Sequence, residues 1–251
     1  MAQVDDCQKK LARAEKLVSG LRGERERWSN TITSVTESIE NVIGDMAMGA
    51  GAIVYSAAFV PSYRASLFQQ WSTKVKYELL PYSEGETLVS LLQDPVKLRR
   101  WQVAGLPMDN LSTENSIIVM KSRRWPLMID PQNQANNWIR NMEADNGLDK
   151  IRAGDADALR VLENGVRFGR PVLMENVQDT LDAALDPLLM KQFVRQGTQF
   201  LVKIGDTLVP YHEDFRLYIT TLLPNPHYSS EIFMKVCGRV ADFVLGPESL
   251  V

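Results

Sequence analysis

An apolar run, Pro126-Leu-Met-Ile-Asp130, passes directly into the polar turn Pro131-Gln-Asn-Gln-Ala-Asn-Asn137 and then into a stretch holding Trp138, Ile139 and Met142. A strand feeding a helix through such a turn is the geometry that binds phosphate, because the amides of the first helical turn point at the ligand. A working loop of the form G-x-x-x-x-G-K-[ST] adds glycines for close backbone approach, a lysine for charge and a hydroxyl for magnesium. Residues 130–137 contain no Gly, Lys, Ser or Thr, Pro131 has no amide to offer, and nowhere in the chain does Lys follow Gly. Pro131, Gln132, Asn133, Gln134, Asn136 and Asn137 therefore read as a phosphate loop in shape, without its chemistry.

A second apolar run ends Leu173-Met-Glu-Asn176. Two acids at such a strand end would hold magnesium and polarise water. Here only Glu175 remains, and Asn176 cannot act as a general base. Glu175 is expected to be a partly buried, hydrogen-bonded carboxylate. His212 and His227 have no Cys or second His at ligand spacing, which argues against zinc. No serine sits in G-x-S-x-G, and Cys237 has no evident histidine partner, so it reads as a core or strand cysteine. Arg99-Arg-Trp101 and Arg123-Arg-Trp125 mix cations with aromatics; stacking and solvation fit an acidic chain better than nucleic-acid binding does. No active site assembles from these residues, and no metal ligand set is expected.

The elements that position them follow from periodicity. Val4, Cys7, Leu11, Ala14, Val18, Leu21, Trp28, Ile32, Val35, Ile39, Val42 and Met46 recur in steps of three and four, with Arg25 the only polar residue in register. A sustained 3.5-residue repeat predicts one long helix over residues 4–46 with a seam for a partner helix. Gly20, Gly23 and the Ser/Thr-rich stretch 29–38 weaken it, and no second heptad run supplies a partner. Gly44 marks a change of character, and Gly49-Ala-Gly51 suggests close helix packing. Tyr63, Leu67, Trp71, Val75 and Leu79 mark a helix entered through Pro61 and ended before Pro81. Asp94-Pro95 reads as a cap with a first-turn proline. Gly105-Leu-Pro107 is a break, and residues 112–121 form one more helix.

From Trp125 on, strand and helix alternate. Residues 126–130, 171–175, 215–221 and 236–245 read as strands. Residues 155–169 read as a capped helix with Leu159, Leu162 and Val166 inward. A helix opens at Asp186-Pro187 and closes at Gly197, and a hairpin turns at Gly205-Asp206. The expectation is an α/β domain with a parallel sheet flanked by helices and a long N-terminal coiled-coil helix.

Composition narrows the class. The 251 residues carry 45% hydrophobic and 24% charged residues and a net charge of -3, as in ordinary globular proteins, with no bulk attraction to nucleic acid or an acidic membrane. Cys7 and Cys237 at opposite ends suggest a reduced, intracellular protein. Asp5, Asp6, Lys9 and Lys10 argue against a signal peptide, and the apolar stretch 47–60 is too short to span a bilayer.

Several of these stretches resemble axonemal dynein heavy chains. Arg123-Arg-Trp-Pro-Leu-Met-Ile-Asp-Pro-Gln-Asn-Gln-Ala-Asn-Asn-Trp-Ile-Arg-Asn-Met142 is similar to the first strand, degenerate P-loop and helix of that family's fifth AAA+ module. Leu162-Glu-Asn-Gly-Val-Arg-Phe-Gly-Arg-Pro-Val-Leu-Met-Glu-Asn-Val177 resembles its Walker B helix and strand. Phe215-Arg-Leu-Tyr-Ile-Thr-Thr-Leu-Leu-Pro-Asn-Pro-His-Tyr228 resembles its sensor strand, which makes Thr220 and Thr221 sensor-like. Trp101-Gln-Val-Ala-Gly-Leu-Pro107 also fits, and Leu17-Val-Ser-Gly-Leu-Arg-Gly-Glu-Arg-Glu-Arg-Trp28 resembles the base of the returning stalk helix. Asn133 stands where many relatives have Gly, and residues 236–243 depart from the family's closing strand.

The resemblance implies an AAA+ type α/β fold, P-loop NTPase-like but degenerate: a stalk helix over 1–46, a helical connection over 47–124 and the α/β core over 125–251. It implies a non-catalytic module that relays conformational change between an ATPase ring and a microtubule-binding stalk. No cofactor is expected in this fragment, with ATP and magnesium in other modules of the parent motor. Expected partners are the outgoing stalk helix, neighbouring AAA+ modules, other dynein subunits, and microtubules through a stalk tip that this chain lacks. No nucleic acid or membrane partner is expected, and the location implied is the ciliary or flagellar axoneme. A regulatory module that still binds ATP or ADP is the alternative; a plain coiled-coil scaffold conflicts with the signals after Trp125.

Overall fold

In a computed structural model, the protein is described at residues 2–57, 59–85 and 87–240. Five helices come first: α1 (Ala2–Tyr55), α2 (Pro61–Tyr77), α3 (Leu88–Leu92), α4 (Pro95–Val103) and α5 (Asn110–Lys121). Then β1 (Pro126–Ile129), α6 (Gln134–Met142), β2 (Asp149–Arg152), α7 (Ala158–Phe168) and β3 (Val172–Glu175) alternate. They are followed by α8 (Asp186–Leu189), β4 (Phe193–Gln196), β5 (Gln199–Ile204), β6 (Thr207–Pro210), β7 (Leu217–Thr221), α9 (Ser230–Lys235) and β8 (Cys237–Val240). Among the described residues no helix is long and apolar enough to cross a membrane. The chain divides into two compact units, Met1–Ala47 with Ser72–Gly85, and Met48–Trp71 with Glu86–Val251.

In the first unit, α1 is helical throughout. Leu11, Leu21, Trp28, Ile32 and Ile39 are all exposed, so the heptad seam faces solvent as its unpartnered register predicts. The side chains of Val4 and Cys7 lie outside the described residues. The Ser/Thr stretch stays helical because Thr31, Thr33, Thr36 and Ser38 return their hydroxyls to carbonyls four residues back. Gly44 is no terminus. It lets residues 81–82 lie against the helix, where a Cβ would run into the Pro81 carbonyl oxygen and stand 2.8 Å from the Tyr82 Cβ. Asp45 then accepts from the Ser83 amide and hydroxyl, both at 2.8 Å.

α1 therefore runs to Tyr55, beyond the expected end near Met46. In the second unit, Gly49 and Gly51 permit this: a Cβ on either would stand 3.2–3.3 Å from Leu92 or Trp71. Ala52 and Ala57 are buried beside them. Arg64, 5% exposed, ties down the end of α1. Its Nε donates to the Ser56 and Phe59 carbonyls at 3.0 and 2.8 Å, and another guanidinium nitrogen reaches Asn115 Oδ1 on α5 at 2.7 Å. A cation just beyond the carboxyl end of a long helix meets the negative end of its dipole.

The main sheet of this unit is parallel, in the order β2-β3-β7-β1-β8. Successive strand residues face opposite sides. Leu127, Val172, Met174, Leu217 and Ile219 enter one core with Leu162, Val166 and Phe215. Met128, Leu173 and Tyr218 enter the other, with Ile118, Trp138 and Ile139. Burial on both faces is why these strands read as continuous apolar runs. The hairpin at Gly205-Asp206 forms as expected, pairing Ile204 with Thr207. Two expectations are corrected, and one strand is unforeseen. The helix opened at Asp186 stops at Leu189, and β4 follows, so Gly197 turns a hairpin onto β5 instead of closing a helix. β2, with one buried residue, is an edge strand that periodicity does not show. Leu159 is 37% exposed, and α7 starts at Ala158 with no side-chain cap. Of the expected strand 236–245, β8 forms from Cys237 in parallel to β1; residues 241–245 lie outside the described residues.

Replacing Arg64 by Ala removes a guanidinium donor from the Ser56 and Phe59 carbonyls and from Asn115 Oδ1. Urea unfolding of the variant should show a loss of about 2–4 kcal/mol. A loss below about 0.5 kcal/mol would mean that Arg64 does not hold the end of α1.

Candidate functional site

The carboxyl ends of β1, β3 and β7 meet where the strand order reverses, because β1 lies between β7 and β8. In open α/β sheets ligands bind beyond strand ends at such a switch point. Asp130, directly after β1, is fully buried, with its amide bonded to the Thr221 carbonyl at 2.8 Å. Its carboxylate turns back over the loop. Oδ1 accepts from the Gln134 amide at 2.7 Å and Oδ2 from the Asn136 amide at 2.8 Å. These are first-turn amides of α6, the donors a phosphate would need. The negative charge at this helix N-terminus is thus already supplied by the chain. Burial pushes the Asp130 carboxyl above its usual range, against the opposing pull of the amides of Asn136, Ala135 and Gln134 and of the Arg140 charge.

Asn133 caps α6 with φ 59°, in the left-handed region, and makes no side-chain bond to the helix backbone. That conformation favours Gly and tolerates Asn. Its Oδ1 accepts from Asn136 Nδ2 at 2.9 Å, and Asn136 Oδ1 accepts from the Thr220 hydroxyl at 2.8 Å. Asn136 thus joins the loop to the sensor-like strand. Thr221 stands apart, its hydroxyl accepting from the Leu223 amide at 3.2 Å. Pro131 is half-buried, and Gln132 and Asn137 point to solvent.

Glu175 is held by Arg140 of α6, whose Nε lies 3.0 Å from Oε1. The carboxylate that could have met magnesium is an ion-pair partner. Asn176 has φ 56°, and its carbonyl and side-chain oxygens accept from Gln178 Nε2 at 3.2 and 3.1 Å. Among the described residues no group of three or more His, Cys, Asp or Glu could hold a metal ion. Asp130 and Arg140 are the residues that sequence reasoning did not assign. The available signal was a carboxylate four residues before the first helical amide, the reach of a side-chain cap.

The cation–aromatic pairings also differ from expectation. Trp125 is buried, donating Nε1 to the Leu188 carbonyl at 2.9 Å, and the cation over its ring is Lys191, 4.1 Å from the centroid, rather than Arg123 or Arg124. Trp101 packs edge-on against Trp138.

A family model for the ATP-binding dynein motor region matches residues 99–251. The chain belongs to the dynein heavy chain family. It is 46% identical over 98% of its length to mouse dynein axonemal heavy chain 1 and 45% identical over 96% to mouse dynein axonemal heavy chain 3. It is 44% identical over 98% to the Chlamydomonas reinhardtii dynein-1-beta heavy chain of the flagellar inner arm I1 complex. The chain spans only about 5–6% of these dynein heavy chains. The parallel sheet flanked by helices and the long N-terminal helix fit an AAA+ module of this family.

Asp130→Ala should uncap α6 and cost about 1–3 kcal/mol in urea unfolding. Sulfate should stabilise the variant more than the wild type, since an anion then replaces the carboxylate on top of the salt's general effect. Equal sulfate effects on both proteins would contradict the capping role. Because burial raises the native carboxyl pKa, ionisation costs more in the folded state, so stability falls as pH rises from the unfolded value of about 3.9 through the native pKa and is level above it, where the ionised carboxylate still caps the helix. Asp130→Asn should remove that segment of the pH–stability profile.

Proposed function

We propose that this chain is a nucleotide-incompetent AAA+ module, with the base of the returning stalk helix, of an axonemal dynein motor. It relays conformational change between the ATPase ring and the stalk. The observation that carries the reading is the Asp130 carboxylate on the Gln134 and Asn136 amides. A phosphate entering there would meet a fixed carboxylate instead of free donors, with no lysine to offset its charge and no hydroxyl to hold magnesium. Glu175 is tied to Arg140, and Asn176 cannot activate water. The family description speaks of ATP binding; in this reading that chemistry belongs to other modules, together with magnesium and hydrolysis. A regulatory nucleotide site here is the weaker alternative.

The mechanical half of the reading rests on α1. Its 54 residues form one helix, roughly 80 Å long at 1.5 Å per residue. Its solvent-facing seam suits the outgoing stalk helix, and its last turns are built into the α/β unit through Gly49, Gly51, Ala52 and the Arg64 cap. A shift of the helix along its seam would be felt there. Neighbouring ring modules, other dynein subunits, microtubules at the stalk tip and an axonemal location follow as parts of the same proposal, as do domain limits of 1–46, 47–124 and 125–251.

Titration of the full chain with magnesium-ATP in a calorimeter tests the first half. The expected result is no binding that responds to Asn137→Trp, a substitution at the exposed mouth of the loop. Micromolar binding abolished by Asn137→Trp would show a working phosphate site and overturn the proposal.

A further inference from the structure

At the opposite pole of the sheet, where β1 and β7 begin, a cleft of about 250 Å³ is lined by Lys121, Arg124, Lys191 and Arg216, with Ser122 and Trp125 between them. Among the described residues, no aspartate or glutamate lines it. The four cations come from separate places: the end of α5, the segment before β1, the turn between α8 and β4, and the start of β7. Among the described residues none of them, nor the adjacent Arg123, takes part in an ion pair. Among the described residues Arg216 donates to the backbone carbonyls of Glu213 and Phe215. In a chain of net charge -3 this is a local concentration of one sign.

Lys191 is the centre of the arrangement and is held there at a cost. Its φ of 51° is one that side-chain-bearing residues rarely adopt. Its ammonium is half-buried over the Trp125 ring, and burial with the charges of Arg216 and Arg123 lowers its pKa. Backbone strain, desolvation and like-charge crowding coincide, and no described carboxylate relieves them. An anion in the cleft would relieve the last two at once.

We propose that this cleft binds a phosphoryl dianion. Two guanidinium forks match the oxygen spacing of phosphate, the lysine adds a point charge, and the volume suits a group of one or two phosphates. The site is independent of the reading proposed for residues 130–137.

The test uses the full chain with inorganic phosphate, pyrophosphate and a short phosphoserine peptide, each followed by amide chemical shifts and calorimetry. Sodium chloride of equal ionic strength is the control. Saturable binding is expected for at least one probe. Tighter pyrophosphate binding would identify a free anion, and tighter peptide binding a phosphorylated side chain. Arg216→Gln should weaken binding about tenfold or more. Lys191→Gly should do the same while unfolding at an equal or higher urea concentration, because glycine accepts the left-handed backbone. Asn137→Trp should leave this binding unchanged, which separates it from any nucleotide bound at the loop. Shifts matched by sodium chloride, or binding indifferent to Lys191→Gly and Arg216→Gln, would overturn the proposal.

Discussion

A helix N-terminus in a sheet of this kind has free amides pointing at the place where a phosphate would sit, and something negative has to meet them. In this chain that group is the carboxylate of Asp130, two short bonds from Gln134 and Asn136. Other features of the site fall in line with it. With these amides satisfied internally, Asn133 makes the left-handed bend that opens the helix. Asn136 links the loop to Thr220 on the central strand. Glu175 forms a strut to Arg140 on the same helix. A site that elsewhere would open and close around a nucleotide is here a closed set of hydrogen bonds.

That closure fits the mechanical role proposed for this module. A module that changed shape with its own ligand would add a second input to whatever reaches it through its neighbours. One whose loop, first strand and central strand are bonded together passes on displacement as a single body. Arg64 extends this logic to the end of α1. Its guanidinium satisfies carbonyls beyond the last helical turn and reaches α5, so the helix terminus is fixed by directional bonds and not by apolar contact alone. Gly49 and Gly51 act in the same sense by removing the side chains that would hold Leu92 and Trp71 away.

What was legible in the sequence follows from how each element is buried. β1, β3 and β7 are covered on both faces, so their residues are uniformly apolar and stand out. β2 buries only Ile151, and β4 only half-buries Phe193 in an otherwise exposed strand, so neither carries a period to read. Gly197 has the left-handed φ of a helix stop and of a hairpin turn alike, and only the pairing of Gln196 with Gln199 decides between them. The run of α1 past Gly44 was hidden because glycine there serves close packing, which propensity counts as a break. At the site, the missing lysine, glycines and hydroxyl were plain. The group that replaces the phosphate was not, because a carboxylate becomes a cap only once the turn brings it back over the helix.

Amide hydrogen exchange at Gln134 and Asn136, measured on the full chain with and without saturating magnesium-ATP, tests the central claim most directly. If Asp130 fills the phosphate position, both amides are protected from the outset and their rates are the same in the two conditions. Rapid exchange without nucleotide that slows when magnesium-ATP is added would show that the amides are free to receive a phosphate, and would contradict the account.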